Sequence, residues 1–273
     1  ITHILYFRHL IMEFFATAGN IPVHILDSKK GEKCVILLHG YLETMYVWNE
    51  LYDILCKKGL RVIVMDLPGH GMSCSAPINT MDFAATCVSD VLKLCGVQKA
   101  VIAGHSLGGY VGFSCLRLFP EMFEKMVLIN SHPYPDPQDK AQDRLREIDI
   151  IESGKILTLA GVSITKMYAP ENLRRCDEKI RESLELCETH DPEGIVASIK
   201  GMAERADSCS LMASSDVPFM AVLGDKDIFI PMETIEKMKV SFPKVRFEVL
   251  GNCGHNSFVE YTEKVAELLV DFI

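Results

Sequence analysis

The segment Gly104-His105-Ser106-Leu107-Gly108 sets a serine between two glycines in the pattern Gly-x-Ser-x-Gly. Residues 100–103, just before it, form a short apolar run that reads as a strand. Residues 107–119, just after it, carry a helical pattern that Pro120 stops. A serine on so sharp a strand-to-helix turn has a strained backbone, and side chains at 104 and 108 would collide with neighbouring chain. The turn would push the Ser106 hydroxyl out at the carboxyl end of the strand. The following helix aims its first N–H groups at that point, and the Leu107 N–H becomes a donor for developing negative charge. The plainer reading, Ser106 as a helix cap and Gly108 as packing, is outweighed by the strand before and the helix after.

One donor leaves half of an oxyanion unsupported. Residues 34–38 end in His39-Gly40-Tyr41, where Gly40 permits a tight turn, so the Tyr41 N–H is the expected second donor. Loss of such a donor costs about 3 kcal/mol in the transition state. His39 suits a structural hydrogen bond better than a catalytic one.

A serine hydroxyl also needs a base, and the base needs a carboxylate to orient it. Among nine histidines, His255 stands in the loop Gly251-Asn252-Cys253-Gly254-His255-Asn256, after the last strand pattern and before the last helix. The strand at 218–223 ends in Gly224-Asp225-Lys226-Asp227, where two aspartates compete. Asp225, at the turn, is placed to cap backbone N–H groups. Asp227, further into the loop, can reach His255 and is the favoured acid. The order Ser…Asp…His is one of three known for this constellation, and the one that goes with an elbow of this kind.

The elements that must hold these residues can be read from periodicity. Residues 34–38, 61–65, 100–103 and 126–129 are β-branched runs without polar alternation, the mark of strands buried on both faces of a parallel sheet. Helical patterns at 48–57, 82–95 and 107–119 alternate with them, which implies a doubly wound, mostly parallel α/β layer. Residues 14–18 and 21–26, joined at Gly19-Asn20, read as an edge hairpin. After Asn130 the rhythm breaks: three prolines occur within 131–137, and amphipathic helices run to about 207 before strand patterns return at 218–223 and 245–250. A last helix is expected over 259–272. The expectation is a core of residues 1–130 and 215–273, with a helical cap of residues 131–214 between the sixth and seventh strands.

The chain has 273 residues, 48% apolar and 24% charged, the balance of a globular protein with one sizeable core. A net charge of -9 repels nucleic acid and anionic membranes. Ten cysteines, with no Cys-x-x-Cys pair, read as free thiols in a reducing cytosol, so a cytoplasmic location is expected. No histidine–carboxylate cluster has metal-ligand spacing, so no metal or other cofactor is expected, and residues 104–109 lack the lysine of a phosphate loop. Residues 1–15 are apolar but interrupted by basic residues and histidines, with no clear small-residue cleavage site, and too short and broken to cross a membrane, so neither a signal peptide nor a membrane span is expected there. Residues 1–11 are expected to lie outside the main architecture.

Taken together, Leu38-His39-Gly40, Asp66-Leu67-Pro68-Gly69-His70-Gly71 with Ser73, Gly104 to Gly109, Gly224-Asp225-Lys226-Asp227 and Gly254-His255 resemble the α/β-hydrolase superfamily in its capped, cofactor-free branch. The resemblance runs from about residue 13 to residue 273. It implies Asp227 as the acid, Tyr41 and Leu107 as the oxyanion donors, and a cap where the strand rhythm breaks. It also implies that the loop at 66–71 organises the scaffold and is not itself catalytic. Residues 201–208 are similar to the same stretch in enol-lactonases and carboxylesterase-like relatives. Haloalkane dehalogenases and epoxide hydrolases carry aspartate at the elbow, where this chain has Ser106.

The function expected is hydrolysis of a small carboxylic ester, lactone or thioester through an acyl-enzyme on Ser106, with a small-molecule substrate, no nucleic acid and no stable membrane association, and with monomer and homodimer both open. The alternative is carbon–carbon bond hydrolysis, or a lyase-like reaction, on an activated ketone. A ligand-binding protein with an idle triad is disfavoured, because all three members are present. A fluorophosphonate probe should therefore add one mass increment, at Ser106, and Ser106→Ala should abolish it. Labelling at another residue, or none in the folded protein, would contradict the assignment.

Overall fold

The computed structural model describes residues 12–273, except the side chains of residues 138 and 139, so the expectation for residues 1–11 lies outside the described residues. Eight strands form one sheet: β1 Met12–Ala18, β2 Ile21–Asp27, β3 Cys34–Leu38, β4 Arg61–Met65, β5 Ala100–His105, β6 Phe123–Ile129, β7 Phe219–Gly224 and β8 Arg246–Leu250. Their order is β1-β2-β4-β3-β5-β6-β7-β8. β1 pairs with β2 and β2 with β4 antiparallel, and every other pairing is parallel. The β1–β2 hairpin turns at Gly19 and Asn20, with φ of 56° and 65°. Two left-handed residues match the turn to the twist of the strands, and Gly-Asn tolerates that conformation.

Helices cover both faces. α1 Asn49–Lys57, α2 Met81–Leu94 and α3 Leu107–Leu118 fill the crossovers between the parallel strands. Between β6 and β7 come α4 Gln138–Glu152, α5 Ile156–Lys166, α6 Asp177–Cys187, α7 Pro192–Ala203 and α8 Cys209–Ser214, which form the cap region. α9 Met232–Ser241, α10 Ser257–Glu260 and α11 Thr262–Phe272 follow. β3 and β5 are apolar along their length because Val35, Leu37, Val101 and Ala103 pack towards α1 and α11, while Ile36, Leu38 and Ile102 face α2 and α3. The helix expected over 259–272 is broken at Tyr261, whose extended φ of −136° separates α10 from α11. The Glu260 side chain at the break is buried and bonded to the Gly254 and Ala169 N–H groups, at 2.7 and 3.2 Å, so the chain turns to keep it inside.

The loop at 66–71 is a scaffold element. Asp66 accepts bonds from the Met45 and Met72 N–H groups at 2.7 and 3.0 Å and faces His24 at 2.9 Å. All ten cysteines are free thiols, and burial pushes Cys34, Cys87 and Cys187 up to about 12. Among the described residues no helix is long and apolar enough to cross a membrane.

The cap is seated on the core by close backbone contacts. Gly69, with φ +79°, lies against Gly194 of α7, and a Cβ at Gly201 would stand 1.8 Å from the Asn79 carbonyl oxygen. Alanine at 201 gains helix propensity, but a backbone clash of this size dominates and costs about 1–3 kcal/mol. Gly201→Ala should lower Tm by roughly 3–10 °C in a thermal melt. An unchanged or raised Tm would show that α7 can shift at no cost.

Candidate active site

Ser106 closes β5 and opens α3 with φ 47° and ψ −110°. The steric reason for the flanking glycines is direct: a Cβ at Gly104 would lie 2.4 Å from the Gly108 carbonyl, and one at Gly108 would lie 2.1 Å from the Leu38 carbonyl oxygen. The turn is also tied to β6. The Ser106 N–H donates to the Ile129 carbonyl at 3.0 Å, and the Ser131 hydroxyl donates to the Ser106 carbonyl at 2.8 Å.

Asp227 and His255 come together from the loops after β7 and β8, with Nδ1 of the ring 2.7 Å from Oδ2 of the carboxylate. Asp227 also takes bonds from the Phe229 and Ile230 N–H groups at 2.8 and 3.0 Å and from the Asn130 amide at 2.9 Å. Burial opposes its ionisation, yet the adjoining His255 ring and these donors hold its pKa below the usual carboxylate value. A carboxylate fixed by four donors orients the ring so that Nδ1 carries the hydrogen and Nε2 is free to accept one. Asp225 makes a different bond, taking the Cys253 N–H at 3.2 Å. Ser106 and His255 border the same cavity of about 690 Å³, which Tyr41, Met167 and Met202 also line. Tyr168, another apolar residue of the cap, faces a separate hollow beside α1.

Among the described residues, neither the Tyr41 N–H nor the Leu107 N–H donates to a protein acceptor. Gly40 precedes Tyr41 in the same turn. Its N–H donates to Glu43 Oε2 at 2.6 Å, and a Cβ there would meet His105 Nδ1 at 2.6 Å. His105 bonds the same Glu43 oxygen at 2.8 Å and the His255 carbonyl at 3.1 Å, so one buried chain of contacts joins the Gly40 turn, the elbow and the His255 loop. Burial alone would raise the Glu43 pKa, but His105 and the Gly40 N–H hold it down. His39 donates from Nδ1 to the Gly40 carbonyl at 2.8 Å and accepts the Leu67 N–H at 2.9 Å. Burial lowers its pKa, in keeping with a neutral ring in a structural role.

Asn130, Glu43 and Ser131 escaped the sequence reading. Asn130 directly follows β6, with φ 44°, and an asparagine just past a core strand was the available signal. Glu43 lies on the turn after His39-Gly40, but its partner is 62 residues away, and no local pattern joins them. Among the described residues no cluster of His, Cys, Asp or Glu could hold a metal ion.

Residues 33–261 match the family described as alpha/beta hydrolase fold. A 2-hydroxy-6-oxononadienedioate/2-hydroxy-6-oxononatrienedioate hydrolase of Paraburkholderia phymatum is 26% identical, over 93% of this chain and 91% of its own. A thermophilic esterase from Thermogutta terrifontis, solved with malate bound, superposes with a TM-score of 0.89 at 26% identity, covering 96% of this chain and 97% of that one. The enol-lactonase of Burkholderia xenovorans LB400 superposes with a TM-score of 0.85, over 95% and 99% of the two chains, but at 18% identity this likeness speaks for the fold alone.

The two aspartates can be separated by kinetics. Asp227→Asn should keep the fold and lower kcat by about 10⁴-fold, because the ring loses its ionised acceptor. Asp225→Asn should mainly lower Tm. Asn130→Gly keeps the left-handed backbone accessible and removes only the amide, so kcat should fall about tenfold. A larger kinetic defect in Asp225→Asn than in Asp227→Asn would reverse the assignment.

Proposed function

The chain belongs to the α/β-hydrolase fold family, and on that premise we propose that it hydrolyses a small carboxylic ester, lactone or thioester through an acyl-enzyme on Ser106. The observation that carries this reading is the bond of 2.7 Å between Asp227 and His255 beside the cavity that Ser106 borders. Ser106 Oγ adds to the substrate carbonyl carbon while His255 Nε2 takes the hydroxyl proton. The carbonyl oxygen becomes an oxyanion held by the Tyr41 and Leu107 N–H groups. Collapse expels the alcohol or thiol, which takes the proton from His255 and leaves the acyl group on Ser106. Water then adds to the acyl carbon, gives its proton to His255, and frees Ser106 and the acid. Asp227 stays ionised throughout and keeps the ring in one tautomer.

Residues 131–214 act in this reading as a cap, with 1–130 and 215–273 as the core. A cavity walled by cap and core limits substrate size and strengthens hydrogen bonds to the oxyanion by excluding water. The ten free thiols fit a reducing, cytoplasmic setting. Carbon–carbon bond hydrolysis on an activated ketone is the second reading. It is supported by the likeness, over more than nine tenths of both chains, to hydrolases named for 2-hydroxy-6-oxo dienedioates.

A series of p-nitrophenyl esters from two to sixteen carbons, read as kcat/KM, distinguishes these outcomes. The maximum is expected at the short end. A maximum at the long end would contradict the small pocket. Inactivity across the series, with Ser106 still labelled by a fluorophosphonate, would favour carbon–carbon cleavage.

A further inference from the structure

The cavity beside Ser106 carries buried charge that acyl transfer does not use. Asp136, in the proline-rich segment after β6, accepts Arg144 Nε at 2.7 Å and Arg205 Nη1 at 2.5 Å. The side chains of Arg144, Arg205 and Asp136 are 8%, 4% and 7% exposed, so two guanidinium groups share one carboxylate out of water. Arg205 is largely spent: it also donates to the Tyr134 and Met202 carbonyls at 3.1 and 3.0 Å and lies 4.1 Å over the Tyr110 ring. Arg144 is not. Among the described residues only its Nε is bonded, and the two terminal nitrogens of a side chain that lines the cavity keep their N–H groups unused.

The rest of the lining carries charges of both signs. Asp143 and Asp207 are exposed, the first bonded to Arg146 and the second to the Cys209 N–H. Lys237 is exposed over the Tyr134 ring, and Lys140 adds to the positive side of the lining. Glu147, one turn along α4 from Arg144, has a buried Oε2 without a partner, and burial raises its pKa against the pull of Arg144 and Lys140. Arg144 and Arg205 thus meet as two guanidinium groups on the single carboxylate of Asp136, and all three side chains line the cavity. A planar guanidinium with both terminal nitrogens unspent matches a carboxylate in two parallel bonds. Tyr41 and Tyr134, whose hydroxyls are buried without partners, line the same space.

We propose that the cavity selects substrates bearing a carboxylate a few bonds from the scissile carbonyl, such as half-esters of short dicarboxylic acids, and that the Arg144 guanidinium receives that carboxylate. The proposal rests on the reading of Ser106 as nucleophile and adds the substrate's charge to it. It gives Arg144 a specificity role, and Asp136 the task of holding both arginines in place without neutralising both.

The test compares kcat/KM for p-nitrophenyl hydrogen glutarate with that for the neutral p-nitrophenyl butyrate, in wild type, Arg144→Met and Arg144→Lys. The wild type should favour the anionic ester by about tenfold or more, the scale of one charge-assisted bidentate contact. Arg144→Met should bring the ratio close to one, chiefly through a higher KM for the anionic ester, and Arg144→Lys should restore part of it. A ratio near one in the wild type, or one that Arg144→Met leaves unchanged, overturns the proposal while the hydrolase reading stands. Turnover of neither ester would instead count against that reading. Calorimetric titration of the Ser106→Ala protein with monomethyl glutarate then decides the anion site by itself: binding that is lost when Arg144→Met is added supports it, and no binding to Ser106→Ala overturns it.

Discussion

The left-handed backbone at Ser106 is the constraint on which the site depends. A non-glycine residue at φ 47° and ψ −110° costs of order 1–3 kcal/mol, and it persists only where its surroundings leave no alternative. Here β5 delivers the chain between β3 and β6, α3 must start at once, and the Leu38 carbonyl lies where a Cβ on Gly108 would go. The two glycines make room for this approach. The bonds from the Ser106 N–H to Ile129 and from the Ser131 hydroxyl to the Ser106 carbonyl then lock the turn to β6. The strain places a hydroxyl at the carboxyl end of the sheet, in front of a helix N-terminus.

The His255 loop is held in a comparable way, by the core on one side and the cap on the other. Asn130 bridges Asp227 and the Gly254 carbonyl at 2.9 and 3.1 Å. The His255 and Asn256 N–H groups both donate to the Met167 carbonyl, at 2.6 and 3.0 Å, and a Cβ on Gly254 would meet the Ala169 nitrogen at 2.5 Å. Residues 167–169 belong to the helical insert. The cap therefore does more than cover the cavity: its backbone sets the height of the His255 loop. The insert and the His255 loop are thus joined directly, backbone to backbone.

Much of this was legible from the chain. Buried parallel strands announce themselves as unbroken β-branched runs, so β3, β4 and β5 could be placed within a residue or two. The elbow shows because sterics demand glycine at 104 and 108. What stayed hidden depends on contacts between distant segments. Asn130 looks like an ordinary residue at a strand end until the β7 loop brings Asp227 to it. The Glu43–His105 pair spans two strands, and the Arg144–Asp136–Arg205 cluster is assembled by the fold of the cap. Periodicity carries no information on such meetings. The break at Tyr261 was missed for the same reason, since it serves the buried Glu260 and not the helix pattern.

The most direct test of the central claim is to catch the acyl-enzyme. Protein quenched in acid during steady turnover of a short p-nitrophenyl ester, digested and read by peptide mass spectrometry, should carry the acyl increment on the peptide containing Ser106. The increment should disappear once substrate is exhausted. Turnover with no covalent increment at Ser106, or with the acyl group on another residue, would contradict the account.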